Sequence, residues 1–343
     1  MGKRYHLGGN VFATIDVPEY GYIDLYSDGG TIDPHWKEAI GMEIKDIKSI
    51  RVAEGKVYLP ENASGYNEEY RLFGGLHAHT IDLKGFDTSK VTTMRMMFAD
   101  CTYVDKLDLS GFNTSGVVDM CGMFWGCNNL SSLDLSMLNT LNVVDMNGMF
   151  WECDKMSSLN LNGLNTSRVQ HMRYMFKGCH NLKELDLSTF NTSKVTKTDE
   201  MFKNCGSLMT LDLSGFDTSN VIGMAEMFTG CGGLTDLNLS SFNTSKVTDM
   251  SNMFEGCACL PKLDIGNFNT SCVKLMTSMF LECSGLTEVD MSHCDMSAVE
   301  HMEYMFCDCK NLRLIKIPVL ISGGACTSNM FDGCNANVKV QFE

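Results

Sequence analysis

The sequence predicts an α/β leucine-rich-repeat solenoid, with a parallel β-sheet on the concave side, short helices on the convex side and about 26 residues per coil. Three observations predict it. Phe98, Phe124, Phe150, Phe176, Phe202, Phe228, Phe254, Phe280 and Phe306 fall 26 residues apart without a slip, and Phe331 follows after 25. A Cys stands three residues beyond each Phe, from Cys101 to Cys334, so ten of the sixteen cysteines form one column. Between the columns runs Leu-x-x-Leu-x-Leu, as in Leu130, Leu133 and Leu135, the strand signature of this repeat class.

Each element follows from local chemistry. In Leu133-Asp134-Leu135 the period-two alternation sends both leucines to one face and the aspartate to the other. Asn113, Asp217 and Asn243 suit an Asx turn after the strand. Val91, Met94, Met97 and Phe98 are spaced i, i+3, i+6 and i+7, which predicts a short helix with one apolar stripe. A Thr or Ser before Val91, Val117 or Val247 would cap its start. Gly126, Gly178, Gly230, Gly256 and Gly333 would end it in the left-handed conformation. One unit cannot bury its own apolar side, so stacked columns of Leu, Val, Met, Phe and Cys must form a continuous core.

The ends differ from the repeat. Residues 1–54 lack the Met-Phe-x-x-Cys unit and are read as an N-terminal cap, with a strand at Tyr22 to Tyr26 and a short helix around Pro34 to Ile40. Residues 55–343 are read as an array of about eleven coils. Val338-Lys339-Val340 is expected to be the last strand, leaving an exposed edge.

Composition narrows the function. Hydrophobic residues are 44% and charged residues 20%, as expected of a folded chain. The net charge of -15 argues against nucleic acid or an anionic membrane as partner, since phosphates must be met by clustered Lys and Arg. No apolar run is long enough to span a bilayer, so no membrane insertion is expected. The first residues lack the apolar core of a signal peptide.

The outward strand positions are Asp82, Asp108, Asp134, Asn160, Asp186, Asp212, Asn238, Asp264 and Asp290. They are the candidate partner-binding row on the concave face. At strand spacing, neighbouring carboxylates would repel by roughly 0.9 kcal/mol in water. Two readings stay open: a stripe for a basic ligand or a divalent cation, and a solvated face that keeps leucine-packed strands soluble.

Other constellations have simpler explanations. The Cys column fits small buried hydrophobes. Cys257 with Cys259, and Cys307 with Cys309, lack the usual two-residue gap of a zinc pair. His77, His79 and Asp82 form a weak metal candidate on a loop. The Asn-Thr-Ser sequons recur because the turn recurs. There is no phosphate loop, nucleophile elbow or His-Glu-x-x-His, and near-identical rungs offer rows where catalysis needs unlike groups converging. No catalytic residue, metal or cofactor is expected.

Phe242-Asn-Thr-Ser-Lys-Val-Thr-Asp-Met-Ser-Asn-Met-Phe-Glu-Gly-Cys257, followed by Leu260 and Leu263-Asp-Ile, resembles the repeat of BspA-like leucine-rich-repeat surface proteins. The resemblance covers roughly residues 55–340. The stretch with Trp36 and Ile47 to Ile50 is similar to the leader that precedes such arrays. The resemblance implies a secreted or surface-displayed bacterial protein that binds host matrix or cell-surface proteins, here through a basic patch on the partner. No signal, sorting motif or anchor is visible in the sequence, and a cytoplasmic interaction scaffold or effector is the alternative.

Overall fold

Alternation of apolar and polar residues in Val11-Phe12-Ala13-Thr14-Ile15 and Tyr22-Ile23-Asp24-Leu25 dictates strands with one buried face. The computed structural model describes residues 4–15, 21–64, 71–319 and 323–343. Residues 1–3, where the expectation of a missing leader begins, lie outside them. The chain divides into two compact units, Met1–Arg168 and Val169–Glu343. It makes about 12 turns of about 26 residues.

In the first unit, β1 (Arg4–His6), β2 (Val11–Ile15) and β3 (Tyr22–Thr31) pair antiparallel in succession. A single α-helical turn and more, α1 (Trp36–Ile40), leads to β4 (Ser49–Tyr58), which lies parallel to β3. β4 also pairs in parallel with β5 (Thr80–Ile81) and β6 (Phe86–Asp87). Further on, β7 (Ser132–Asp134) and β8 (Ser158–Asn160) pair in parallel, 26 residues apart at each rung. In the second unit β9 (Thr210–Asp212) pairs with β10 (Asp236–Asn238). There β11 (Glu288–Asp290), β12 (Leu314–Ile317) and β13 (Lys339–Phe342) also form a parallel set. β13 is the edge, with Phe342 62% exposed.

The expected short helices are absent: among the described residues α1 is the only α-helix. The segment from Val91 to Cys101 and its counterparts folds as consecutive turns instead. Two positions of each coil explain this. Two residues before and two after the column Phe the backbone is left-handed, as at Met96 (φ 55) and Asp100 (φ 58), or Tyr304 (φ 59) and Asp308 (φ 58). A right-handed helix cannot pass through such residues. The column glycines do take the expected left-handed conformation, with Gly126 at φ 70 and Gly256 at φ 69, but they close turns and end no helix.

Hydrogen bonds show what replaces the helix. Met97 N–H, Ala99 N–H and Cys101 N–H donate three residues back, to Met94, Met96 and Phe98. The alternate donors Met94, Met96, Phe98 and Asp100 point instead to carbonyls of the next coil, at Asp119, Cys121, Met123 and Trp125. The next coil repeats the pattern, so the peptide joining Cys121 to Gly122 accepts from Met96 and donates to Asn147. Peptide units thus bond head to tail from coil to coil. The apolar i, i+3, i+6, i+7 spacing was real, but its backbone donors are satisfied between coils rather than within one.

Both columns predicted from the period are packed as predicted. Phe98 and Phe124 stack at 5.8 Å and 1° between planes, and Phe228 and Phe254 at 5.6 Å and 3°. Each of these rings is fully buried, a contribution of about 1.5–3 kcal/mol apiece. The Cys column supplies a second link. Cys127 Sγ donates to the carbonyl of Phe98 at 3.2 Å, and Cys283 Sγ to that of Phe254 at 2.9 Å.

The Thr that was expected to cap a helix also ties neighbouring coils. Thr88 Oγ1 donates to Asn113 O at 3.0 Å and accepts from Asn113 N–H at 2.7 Å. Thr218 does the same with Asn243. With no helix start to cap, the buried hydroxyl serves the next coil's turn.

At the start of the first unit, α1 covers carbonyls that have no preceding coil. Trp36 Nε1 donates to Leu72 O at 2.9 Å. Lys37 Nζ, buried, donates to Arg71 O and to Gly74 O, the latter at 2.6 Å.

Candidate functional site: the strand-face row

The leucines on either side of Asp134 are buried, Leu133 at 4% and Leu135 at 0% exposure, which leaves the intervening carboxylate on the open face. Asp82, Asp108, Asp134, Asp186, Asp212, Asn238 and Asp264 are exposed, and Asn160 and Asp290 are half-buried. In the first unit β7 and β8 place Asp134 opposite Asn160. In the second, Asp212 lies opposite Asn238 and Asp290 opposite Lys316. Asp82, Asp108, Asp186 and Asp264 occupy the same place in their coils, beside rather than within the short strands.

All nine side chains also have a local task. Each uses its Oδ1 to accept the backbone N–H two residues on: Lys84 to Asp82, Ser110 to Asp108, Ser136 to Asp134 and Asn162 to Asn160. The second unit repeats it with Ser188 on Asp186, Ser214 on Asp212, Ser240 on Asn238, Gly266 on Asp264 and Ser292 on Asp290. The distances run from 2.9 to 3.2 Å. These Asx turns bend the chain out of the strand. They fix Oδ1 of each group and leave the second oxygen of the aspartates outside the turn, where that of Asp290 meets Lys316 Nζ.

Electrostatics follow from those bonds. Hydrogen bonds from Ser110 and Ser188, the side chain first and then the backbone, hold Asp108 and Asp186 below the usual carboxylate range. For Asp134 and Asp212 the backbone N–H of Ser136 and Ser214 is the leading cause. The Ser292 side chain, then its backbone and Lys316, hold Asp290 down at about 2. These five aspartates are therefore ionised at neutral pH. Asn160 Nδ2 donates to Asp134 Oδ1 at 3.0 Å, so the amide rungs relieve repulsion by donating as well as by being neutral.

Shallow depressions lie along this face. One of about 390 Å³ is lined by Lys106, Asp108, Ser132, Asp134, Ser158 and Asn160. Another of about 300 Å³ includes Asp186, Ser188, Asp212 and Ser214. One member of the row was missed: Lys316, whose Nζ lies 3.1 Å from Asp290 Oδ2. Its signal was Ile315-Lys316-Ile317, the same alternation with a cation at the centre.

The metal candidates do not assemble. Among the described residues no group of three or more His, Cys, Asp or Glu could hold a metal ion. Cys257 is buried while Cys259 is exposed. Cys309 Sγ donates to Phe280 O, away from Cys307. His77 and His79 both pack on the ring of Tyr103, at 4.8 and 5.9 Å. Among the described residues no helix is long and apolar enough to cross a membrane.

The chain is similar to solved bacterial leucine-rich-repeat structures. A leucine-rich repeat protein from Bacteroides ovatus is 16% identical, with 97% of this chain and 98% of that one covered and a TM-score of 0.42. One from Eubacterium ventriosum is 12% identical over 99% and 96% of the two chains, with a TM-score of 0.37. A leucine rich cell surface protein from Faecalibacterium prausnitzii is 12% identical over 100% and 96%, with a TM-score of 0.28. No curated protein matches the sequence. The family model described as "Mycoplasma protein of unknown function, DUF285" matches residues 68–183, 127–235, 151–258 and 224–340. With the repeat matched from residue 68 to residue 340, the chain belongs to the DUF285 family.

Proposed function

We propose that the protein is a non-catalytic binding module whose strand-face row docks a protein partner through a basic patch on that partner. One observation carries this reading: within each unit the row aspartates have one oxygen tied into their own turn, and those turn bonds hold Asp108, Asp134, Asp186, Asp212 and Asp290 in the ionised form, so the face carries fixed, repeated negative charges. Fixed charges lose little entropy on docking. They also attract a basic surface at long range. The net charge of -15 argues against nucleic acid for the same reason. The resemblance of the repeat to BspA-like arrays adds adhesion at a bacterial surface, or secretion, to the reading.

Replacing Asp134, Asp186 and Asp212 together by Asn keeps the turn acceptor and removes the charge. Binding to a panel of basic matrix proteins, followed by surface plasmon resonance at two salt concentrations, is expected to weaken at least about tenfold and to lose much of its salt dependence. Equal binding by the parent and the triple variant would overturn the proposal.

A second reading, a cytoplasmic interaction scaffold, is favoured by a different observation. Cys101, Cys127, Cys205, Cys231, Cys257 and Cys283 of the column keep their thiols unbridged, a pattern at home in a reducing compartment. Fractionation of the native cell distinguishes the two locations.

A further inference from the structure

Strand register brings a row of ring-bearing side chains to the outer face of the N-terminal sheet. His6 pairs with Phe12, Phe12 with Tyr26, and Tyr26 with Glu54, across β1 to β4. Their strand neighbours Val11, Ala13, Ile23 and Leu25 are buried on the opposite side, so the alternation turns this row to solvent. A cleft of about 610 Å³ opens over it, lined by Phe12, Tyr26 and Glu54 together with Arg4, Asn10 and Asp28. That volume is in the range of small-ligand sites, and none of these residues serves the strand-face row.

The lining sorts into three kinds of group. The Arg4 guanidinium carbon lies over the Phe12 ring, 4.0 Å from its centroid, and a guanidinium supplies five N–H donors. Asn10 adds an amide at the other end of β2 from the Arg4 partner Thr14. Asp28 and Glu54 supply acceptors, and the half-buried Tyr26 lies between Phe12 and Glu54 in the sheet. Two carboxylates against one guanidinium repel an anion, and a rim of charged and amide groups suits no purely apolar ligand. A pyranose fits all three kinds: its hydroxyls both donate and accept, and its polarised C–H face is drawn to the negative face of an aromatic ring.

We propose that this cleft binds a neutral saccharide, its C–H face on Tyr26 and its hydroxyls bridging Arg4 and Asn10 to Asp28 and Glu54. This site is separate from the protein-docking row, and the two fail independently. The test is calorimetric titration of the full chain with maltotriose, cellotriose and chitotriose, with inorganic phosphate and an oligogalacturonate as charged comparators. At least one neutral sugar is expected to bind. Its affinity should fall at least about tenfold in Tyr26→Ala and stay within about twofold in Tyr26→Phe, which keeps the ring. Glu54→Gln, a change at an exposed residue that leaves the sheet intact, should weaken it as well, and Asp212→Asn should leave it unchanged. No binding of any neutral sugar at about 10 mM, binding by the charged comparators alone, or full affinity in both Tyr26→Ala and Glu54→Gln would overturn the proposal.

Discussion

The thiol of Cys231 donates to the carbonyl oxygen of Phe202, one coil earlier, at 3.0 Å. The same carbonyl already accepts the backbone N–H of Cys205 at 3.1 Å. A carbonyl has two lone pairs, and the turn uses one of them. The column position therefore calls for a side chain small enough for the core and able to donate weakly, which is a description of free cysteine. Burial also pushes the Cys231 thiol up to about 12, so it is a poor nucleophile.

Alkylation is expected to separate the cysteines into two classes. Under native conditions iodoacetamide should modify the exposed Cys259 and Cys272 and spare the buried Cys101, Cys127, Cys205, Cys231 and Cys257. Peptide mass spectrometry before and after denaturation reads the difference. Cys231→Ala should cost about 1–2 kcal/mol, from the lost donor and the space left behind. Rapid native labelling of Cys231 would contradict the packing.

The left-handed positions are expected to respond to glycine in both directions. Tyr304, at φ 59 and 43% exposed, carries a side chain where the backbone prefers none, and Tyr304→Gly should stabilise by up to about 1 kcal/mol. At Gly256, φ 69, a Cβ would sit 3.5 Å from its nearest neighbour, so Gly256→Ala tests conformation without a clash. It should destabilise by about 1 kcal/mol. Urea melts of the two variants check the signs, and a segment that was helical would give the reverse.

Asp290 should keep its charge well into acid. The folded value for Asp290 is about 2 against an ordinary 3.8, so the native state holds this proton less tightly than the unfolded chain does. The stabilisation from ionised Asp290 is complete above 3.8 and is lost as pH falls through about 2. The side chain is about half in contact with solvent, 45% exposed, which limits the effect to under about 1 kcal/mol. Carboxyl NMR shifts should give a midpoint near 2 for Asp290, rising toward the ordinary value in Ser292→Ala.

Removing the first-coil cover should expose its carbonyls. Lys37→Met leaves Arg71 O and Gly74 O without their donor, at a cost of about 2–4 kcal/mol for two buried acceptors. Hydrogen exchange should quicken at Phe73 and Gly75, whose N–H groups bond to Met97 and Ala99, and remain slow at Phe254 and Phe280. Uniform protection would show that α1 is dispensable.

The period, the Phe and Cys columns and the strand alternation were legible because each depends on side-chain identity at constant spacing. The turn-for-helix substitution was not. Val91, Met94 and Met97 carry the helical spacing, and the signal against it was the residue two before the Phe. That position holds Met96, Gly122, Gly148, Tyr174, Glu200, Glu226 and Asn252 in successive coils, a mixture that disguises a shared positive φ. The row Asp82 to Asp290 follows from the alternation alone, and all its members but the half-buried Asn160 and Asp290 are exposed. Its bond to the N–H two residues on was hidden, because a strand-centre Asp and a turn-forming Asp look alike in sequence. The cleft over Tyr26 needed the register of four strands, and no local pattern sets that.

Because a coil within either unit receives its bonds from the one before and hands the same set to the one after, as Met96, Cys121, Gly122 and Asn147 do, the joint between such neighbours is interchangeable with the next. A recombination event that gains or loses a whole repeat there leaves both flanks with matching partners. An event of any other length strands donors and acceptors alike. Natural variation among relatives should therefore be quantised in whole repeats, with the length of the strand-face row adjusted by copy number while each rung stays the same.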